Sequence, residues 1–306
     1  MKELVEIRGK KIYVEVHGSD DAPALLYLHG GPGQGSYDFS ILQAKSLAQH
    51  VRLVIIDQRG VLRSEEIREE EEFKLDDIIH DCEELRKYLQ LASWSVLGHS
   101  FGAYLALCYA LEYPTVIDKL IFDCPAFDLY DSSCSLLLGA AEQFEELQLM
   151  EQAEACRQLA TSEVPVEGFW WRFFEPINEL GEYRNHLYVW HEEKDFYEKL
   201  VTDSPFPRQW WEKSNTFSQK LMQEGRMFEP LTKRLAELTC PALLVRGRYD
   251  WVSSTKQVHY FQELVSLGES YEFTQSAHFP RFEEKEQYAE IISSFLLKNQ
   301  SLKINL

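Results

Sequence analysis

Positive charge is what this sequence is short of: 31 Lys and Arg stand against 50 Asp and Glu, giving a formal net charge of −19. A surface of that sign repels phosphate backbones and argues against nucleic-acid binding. It favours cationic or amine-bearing ligands in principle, although plain solubility is the simpler consequence. No apolar run approaches the length a bilayer requires, which argues against a membrane-spanning helix. The opening residues, M-K-E-L-V-E-I-R-G, hold no apolar core of a signal peptide. The six cysteines (Cys82, Cys108, Cys124, Cys134, Cys156, Cys240) form no C-x-x-C and no framework spacing. Several lie in apolar runs, where thiols act as small hydrophobes. The expectation is a reduced, cytoplasmic protein. Low-complexity tracts and repeats are also missing. The 306 residues suffice for one large α/β domain with an insertion, or for two ordinary domains.

What is present is a rhythm. Residues 3–8 and 11–17 alternate around Gly9-Lys10 and predict an antiparallel hairpin. Short apolar runs of the buried-strand kind follow at 24–28, 52–57, 94–98, 119–123 and 242–247, with a last alternating run at 270–274. Helical patterns fall between several of them. Residues 75–89 are apolar at 75, 78, 79, 82, 85 and 89, and residues 101–113 are stopped by Pro114. Strand–helix alternation after a hairpin predicts an α/β fold with a mostly parallel sheet covered on both faces. The rhythm breaks over 126–235, which is helix-like and rich in Trp, Tyr, Phe and Glu. This divides the chain into a core of 1–125 and 236–306 and an inserted helical cap of 126–235. The acidic run at 65–72 reads as a solvated loop or helix face.

The run W-S-V-L-G-H-S-F-G-A, residues 94–103, is a G-x-S-x-G nucleophile elbow between a strand and a helix. Gly98 and Gly102 leave room where the turn is tightest, and Ser100 is held outward on a strained backbone. A serine hydroxyl needs a base, and the base an orienting acid. The order Ser, acid, His is met by Asp250, just past the strand 242–247, and by His278 in S-A-H-F-P. Asp123 also ends a strand and is the rival acid. His99 sits in the elbow itself, and His259 lies in a helical pattern, so neither has the loop context of a base. H-G-G-P-G at 29–33 supplies the second element. Its backbone approaches closely, and the N–H groups of Gly31 and Phe101 are the predicted oxyanion donors.

These residues resemble the α/β-hydrolase superfamily, and within it the prolyl aminopeptidase (proline iminopeptidase) group. The resemblance rests on H-G-G-P-G at 29–33, D-Q-R-G at 57–60 with Ser64, G-H-S-F-G at 98–102, G-R-Y-D at 247–250 and S-A-H at 276–278. It implies a sheet of about eight strands with a helical cap after the sixth. It also implies a Ser-His-Asp enzyme with no metal or organic cofactor, acting on short peptides or on related amides and esters. Asp57 and Arg59 are expected to brace structure rather than react.

Two departures stand out. Leu62 replaces the glycine that usually follows D-Q-R-G, and Arg184, in R-N-H-L-Y, stands where an amine-binding glutamate is expected. Glu182 and Glu212 are the candidate substitutes. The pairs Trp170-Trp171 and Trp210-Trp211 either line an apolar substrate pocket or pack the cap on the core. The leading expectation is a prolyl aminopeptidase-type serine hydrolase. A small-ester or lactone hydrolase is second, and a non-catalytic binding protein on the same fold is third.

Overall fold

The computed structural model describes residues 1–162, 166–190 and 194–298, without the side chains of 166–171. Eight strands form one sheet: β1 Lys2–Ile7, β2 Lys10–His17, β3 Ala24–Leu28, β4 Arg52–Asp57, β5 Trp94–His99, β6 Ile117–Asp123, β7 Ala242–Gly247 and β8 Gly268–Phe273. Their order is β1-β2-β4-β3-β5-β6-β7-β8. The β1–β2 and β2–β4 pairs are antiparallel and the other five are parallel. The hairpin and the parallel strands thus arise where the sequence predicts them. β8 begins two residues earlier than its alternation suggests, because it is an edge strand whose first residues are exposed.

Core helices are α1 Tyr37–Leu47, α2 Leu75–Tyr88 and α3 Phe101–Glu112. The period-2 pleat divides each central strand between two cores. Leu26, Leu28, Val54, Ile56 and Val96 face α2 and α3. Leu25, Tyr27, Leu53, Ile55 and Leu97 face α1 and the C-terminal helix. α2 buries Leu75, Ile78, Ile79, Cys82 and Leu85, the stripe its 3.6-residue period predicts. α3 is buried on all sides from Phe101 to Ala110, and Pro114 follows its end. Residues 65–72 form loop and turn, as the acidic run suggests.

Between β6 and β7 the described chain is helical: α4 Leu129–Glu146, α5 Met150–Ala160, α6 Val166–Glu179, α7 Phe196–Asp203, α8 Arg208–Glu212 and α9 Ser214–Glu224, with short 3-10 turns. A hydrogen bond from Leu231 N–H to Phe127 O (2.8 Å) closes this excursion at its base. The chain then descends to begin β7. It ends with α10 Thr255–Leu264, α11 Pro280–Glu283 and α12 Lys285–Leu297. No helix among the described residues is long and apolar enough to cross a membrane.

Candidate active site

In this sheet β3 and β5 are neighbours, and the chain leaves β3 toward β4 on one side and β5 toward β6 on the other. A crevice opens at the carboxyl ends of strands at such a switch point. The two loops that meet there are residues 29–33 after β3 and the elbow after β5.

At the elbow Ser100 has φ 55° and ψ −120°. That is a costly conformation for a residue with a Cβ, of order 1–3 kcal/mol. Its N–H donates to Asp123 O (2.9 Å), and its carbonyl accepts from Ala103 N–H (2.9 Å). The turn is tight enough that a Cβ on Gly98 would stand 2.2 Å from Gly102 O, and one on Gly102 would stand 2.2 Å from Leu28 O. Only glycine fits at either position.

His278 follows β8 and Asp250 follows β7. Nδ1 of His278 lies 3.0 Å from Asp250 Oδ1, with both side chains buried. A carboxylate only accepts, so Nδ1 carries a proton, which leaves Nε2 as the ring's accepting nitrogen in the neutral tautomer. Asp250 Oδ1 also accepts from Val252 N–H (2.8 Å). Burial would raise the Asp250 pKa, but His278 and the Val252 N–H hold it below the ordinary carboxylate value. Asp250 Oδ2 meets no oxygen or nitrogen donor among the described residues, and the Cys124 thiol stands beside the carboxylate. Cys124, Asp250 and His278 bring their donor atoms within 4.8 Å of one another. Burial holds the Cys124 thiol protonated and Nδ1 is committed to Asp250, so this trio is poorly suited to a metal.

The rival residues have other employment. Asp123 Oδ2 accepts from Tyr288 (3.0 Å) and lies 3.5 Å from Arg281. Arg281, fully buried, is held mainly by Asp38 (2.6 Å). His99 Nδ1 is 3.2 Å from Asp123 but out of line for a hydrogen bond. Its ring packs 4.7 Å from that of His278. His259 is exposed beside Glu263.

The neighbouring motifs interlock. Gln58 N–H donates to His29 Nε2 (3.0 Å), and His29 Nδ1 faces Gly30 O (3.1 Å). His29 is therefore a neutral strut between the two loops, its pKa lowered by burial. Asp57 braces the turn through Ser36 (2.8 Å) and Arg63 (2.5 Å), and Arg59 clamps Asp81 (2.6 Å). Leu62 occupies a left-handed conformation, φ 41°. The position therefore has the backbone a glycine would favour, and here a fully buried leucine takes it.

Ser100 and His278 open onto one cavity of about 700 Å³, floored by residues 31–34 and roofed by the helical excursion. Gly31 lines it; Phe101 is the first residue of α3, so its N–H has no acceptor within the helix. Of the predicted substrate residues, Trp211 lines the cavity, whereas Trp210 stacks on Phe206 and is 40% exposed. The side chains of Trp170 and Trp171 lie outside the described residues. Glu182 is exposed and Glu212 pairs with Arg208 at the surface (2.8 Å), so neither is brought to the cavity. Sequence reasoning missed Tyr188, Tyr197 and Phe279, which line it. Tyr188 O accepts from His278 N–H (2.9 Å), and Tyr197 Oη donates to Gln34 O (3.1 Å).

Comparison with known proteins agrees with this architecture. A family profile described as X-Pro dipeptidyl-peptidase (S15 family) matches residues 93–280, more than half of the chain. One described as α/β hydrolase fold matches residues 23–158. The chain belongs to the α/β-hydrolase superfamily, in the family that the S15 profile describes, and it is a hydrolase. Several of its curated relatives are named proline iminopeptidases. It is 26% identical to a proline iminopeptidase of Heyndrickxia coagulans over 96% of this chain and 97% of the relative. Among solved structures, a proline iminopeptidase-related protein from Thermus thermophilus superposes with a TM-score of 0.74 at 21% identity, over 97% of this chain and 96% of that one. An esterase from Exiguobacterium antarcticum superposes with a TM-score of 0.66 at 19% identity, over 97% and 99%.

Proposed function

We propose that this hydrolase is a serine hydrolase working through an acyl-enzyme. The observation that carries the reading is the buried Asp250–His278 hydrogen bond beside a strained Ser100 on one cavity. Ser100 Oγ attacks the substrate carbonyl while His278 Nε2 takes its proton. The tetrahedral oxyanion is held by the Gly31 and Phe101 N–H groups, each such donor being worth about 3–4 kcal/mol. The C–N or C–O bond breaks as His278 returns the proton to the leaving group. Water, deprotonated by the same imidazole, then releases the acyl group. Asp250 keeps the imidazole in its tautomer throughout. No step calls for a metal or cofactor, and residues 126–235 serve as the cap over the site.

The names of the near full-length relatives support a small prolyl peptide or amide as substrate. A second reading, a small carboxylic ester, is favoured by one observation: no carboxylate lines the cavity among the described residues, so nothing there pairs a free α-amine. A fluorophosphonate probe tests the common mechanism. It is expected to label Ser100 stoichiometrically, with labelling and turnover both lost in Ser100→Ala. Full hydrolysis retained by Ser100→Ala would sink the mechanism.

A further inference from the structure

Arg184 is the one permanently charged side chain among the described residues lining the cavity. The rest of that wall holds no permanent charge among the described residues: apolar side chains such as Leu136, Phe173 and Met222 stand beside neutral polar ones such as Ser132 and Asn215. Acids outnumber bases in this chain by 50 to 31, so counter-ions are plentiful. Even so, Arg184 has no carboxylate within ion-pair distance among the described residues. Its hydrogen bond from Nη1 to Asn178 Oδ1 is a long one, 3.3 Å. Among the described residues its partners are the Asn178 amide and the Tyr188 phenol, neither of them charged. It is also close to the reacting centre. The Tyr188 phenol lies in the field of Arg184 and within its hydrogen-bonding reach, and the Tyr188 ring centroid is 6.0 Å from that of His278. A guanidinium with no carboxylate partner among the described residues, on a wall otherwise without permanent charge, is a receptor for a planar anion, because a carboxylate accepts two of its N–H groups in parallel.

We propose that Arg184 binds a carboxylate on the substrate, and that the enzyme hydrolyses small esters or amides that carry a second, free carboxylate. This rests on the serine-hydrolase reading and holds whether the scissile bond is an ester or an amide. Neutral acyl groups fill the same cavity but leave the guanidinium unanswered. Cationic ones are repelled by it.

The test uses three ethyl esters of similar length: monoethyl adipate, ethyl hexanoate and ethyl 6-aminohexanoate. Their kcat/KM values are measured on the wild type and on Arg184→Gln and Arg184→Lys. Because the readout is a ratio between substrates on one enzyme, partial loss of folded protein cancels. The wild type is expected to prefer the adipate over the hexanoate by about 10-fold or more, the scale of one charge-assisted pair, chiefly through KM. The ratio should fall to about one in Arg184→Gln and be partly kept in Arg184→Lys. An enzyme that labels with the fluorophosphonate but lacks this preference, favours the amino ester or turns over none of the three overturns the Arg184 assignment alone. Absence of labelling in the wild type overturns the hydrolase reading beneath it.

Discussion

At the scale of single residues, His99 shows what it costs to put an imidazole under the elbow. Burial and the Arg281 charge push its pKa down to about 4, against the pull of Asp123. An unfolded chain protonates the same group near 6.5. Between those values the unfolded state binds the extra proton, so stability is complete above about pH 6.5 and declines as pH falls toward 4. The whole shift corresponds to about 3 kcal/mol. His99→Phe keeps the ring packing and removes the proton site. Its Tm, followed by circular dichroism, is expected to fall less between pH 6.5 and 4 than that of the wild type. An unchanged slope would contradict the assignment. Glu15 contributes in a lower window. Lys2, His17, Ser40 and Arg63 overcome its burial and hold its pKa near 2, so its share is lost only as pH falls from about 4.5 toward 2.

At the scale of elements, α7 and α9 hold the roof to the loop beneath it. Tyr197 Oη donates to Gln34 O (3.1 Å) and Ser218 Oγ to Pro32 O (2.8 Å). Both acceptors belong to the loop that carries Gly31. Each bond contributes about 1 kcal/mol. In the double variant Tyr197→Phe, Ser218→Ala the loop loses both side-chain anchors. Hydrogen exchange at residues 31–36 should quicken, and kcat/KM should drop by about 10-fold as the Gly31 N–H, one of the two proposed oxyanion donors, loses its aim. Exchange equal to that of the wild type would mean the loop holds itself.

These tethers also mark where sequence reading stops. The buried strands, the elbow and the helical run after β6 were legible because local period and glycine spacing encode them. The His29–Gln58 strut and the Arg281–Asp38 pair were not, since each joins residues far apart in sequence that meet only once the sheet has formed. Tyr188 and Tyr197 looked like ordinary aromatic residues in a helical stretch. Which of them reaches the cavity depends on how the helices cross, and no local pattern carries that. For the same reason the expected amine-binding roles of Glu182 and Glu212 rested on neighbourhood alone, and both side chains face away.

At the scale of the whole molecule, the excess of 19 negative charges makes the folded state repel itself. Raising NaCl from 0.01 to 0.15 M shortens the Debye length from about 30 to about 8 Å. Exposed ion pairs lose little by this, because they are worth little. The expectation is a Tm that rises by a few degrees across that range in differential scanning fluorimetry. A falling Tm would show that surface ion pairs outweigh the net repulsion.

The bond from Leu231 to Phe127 has an evolutionary reading. The whole excursion leaves and re-enters the core at one point, so its length and content are decoupled from the pairing of β6 with β7. Arg184, Tyr188, Tyr197 and Trp211 all lie on it, whereas Ser100, Asp250 and His278 do not. A recombination event that exchanged only this stretch would give the same chemistry a new diet while leaving the sheet in register. In a chain built on this plan, the wall that meets the meal and the blade that cuts it are separately replaceable parts.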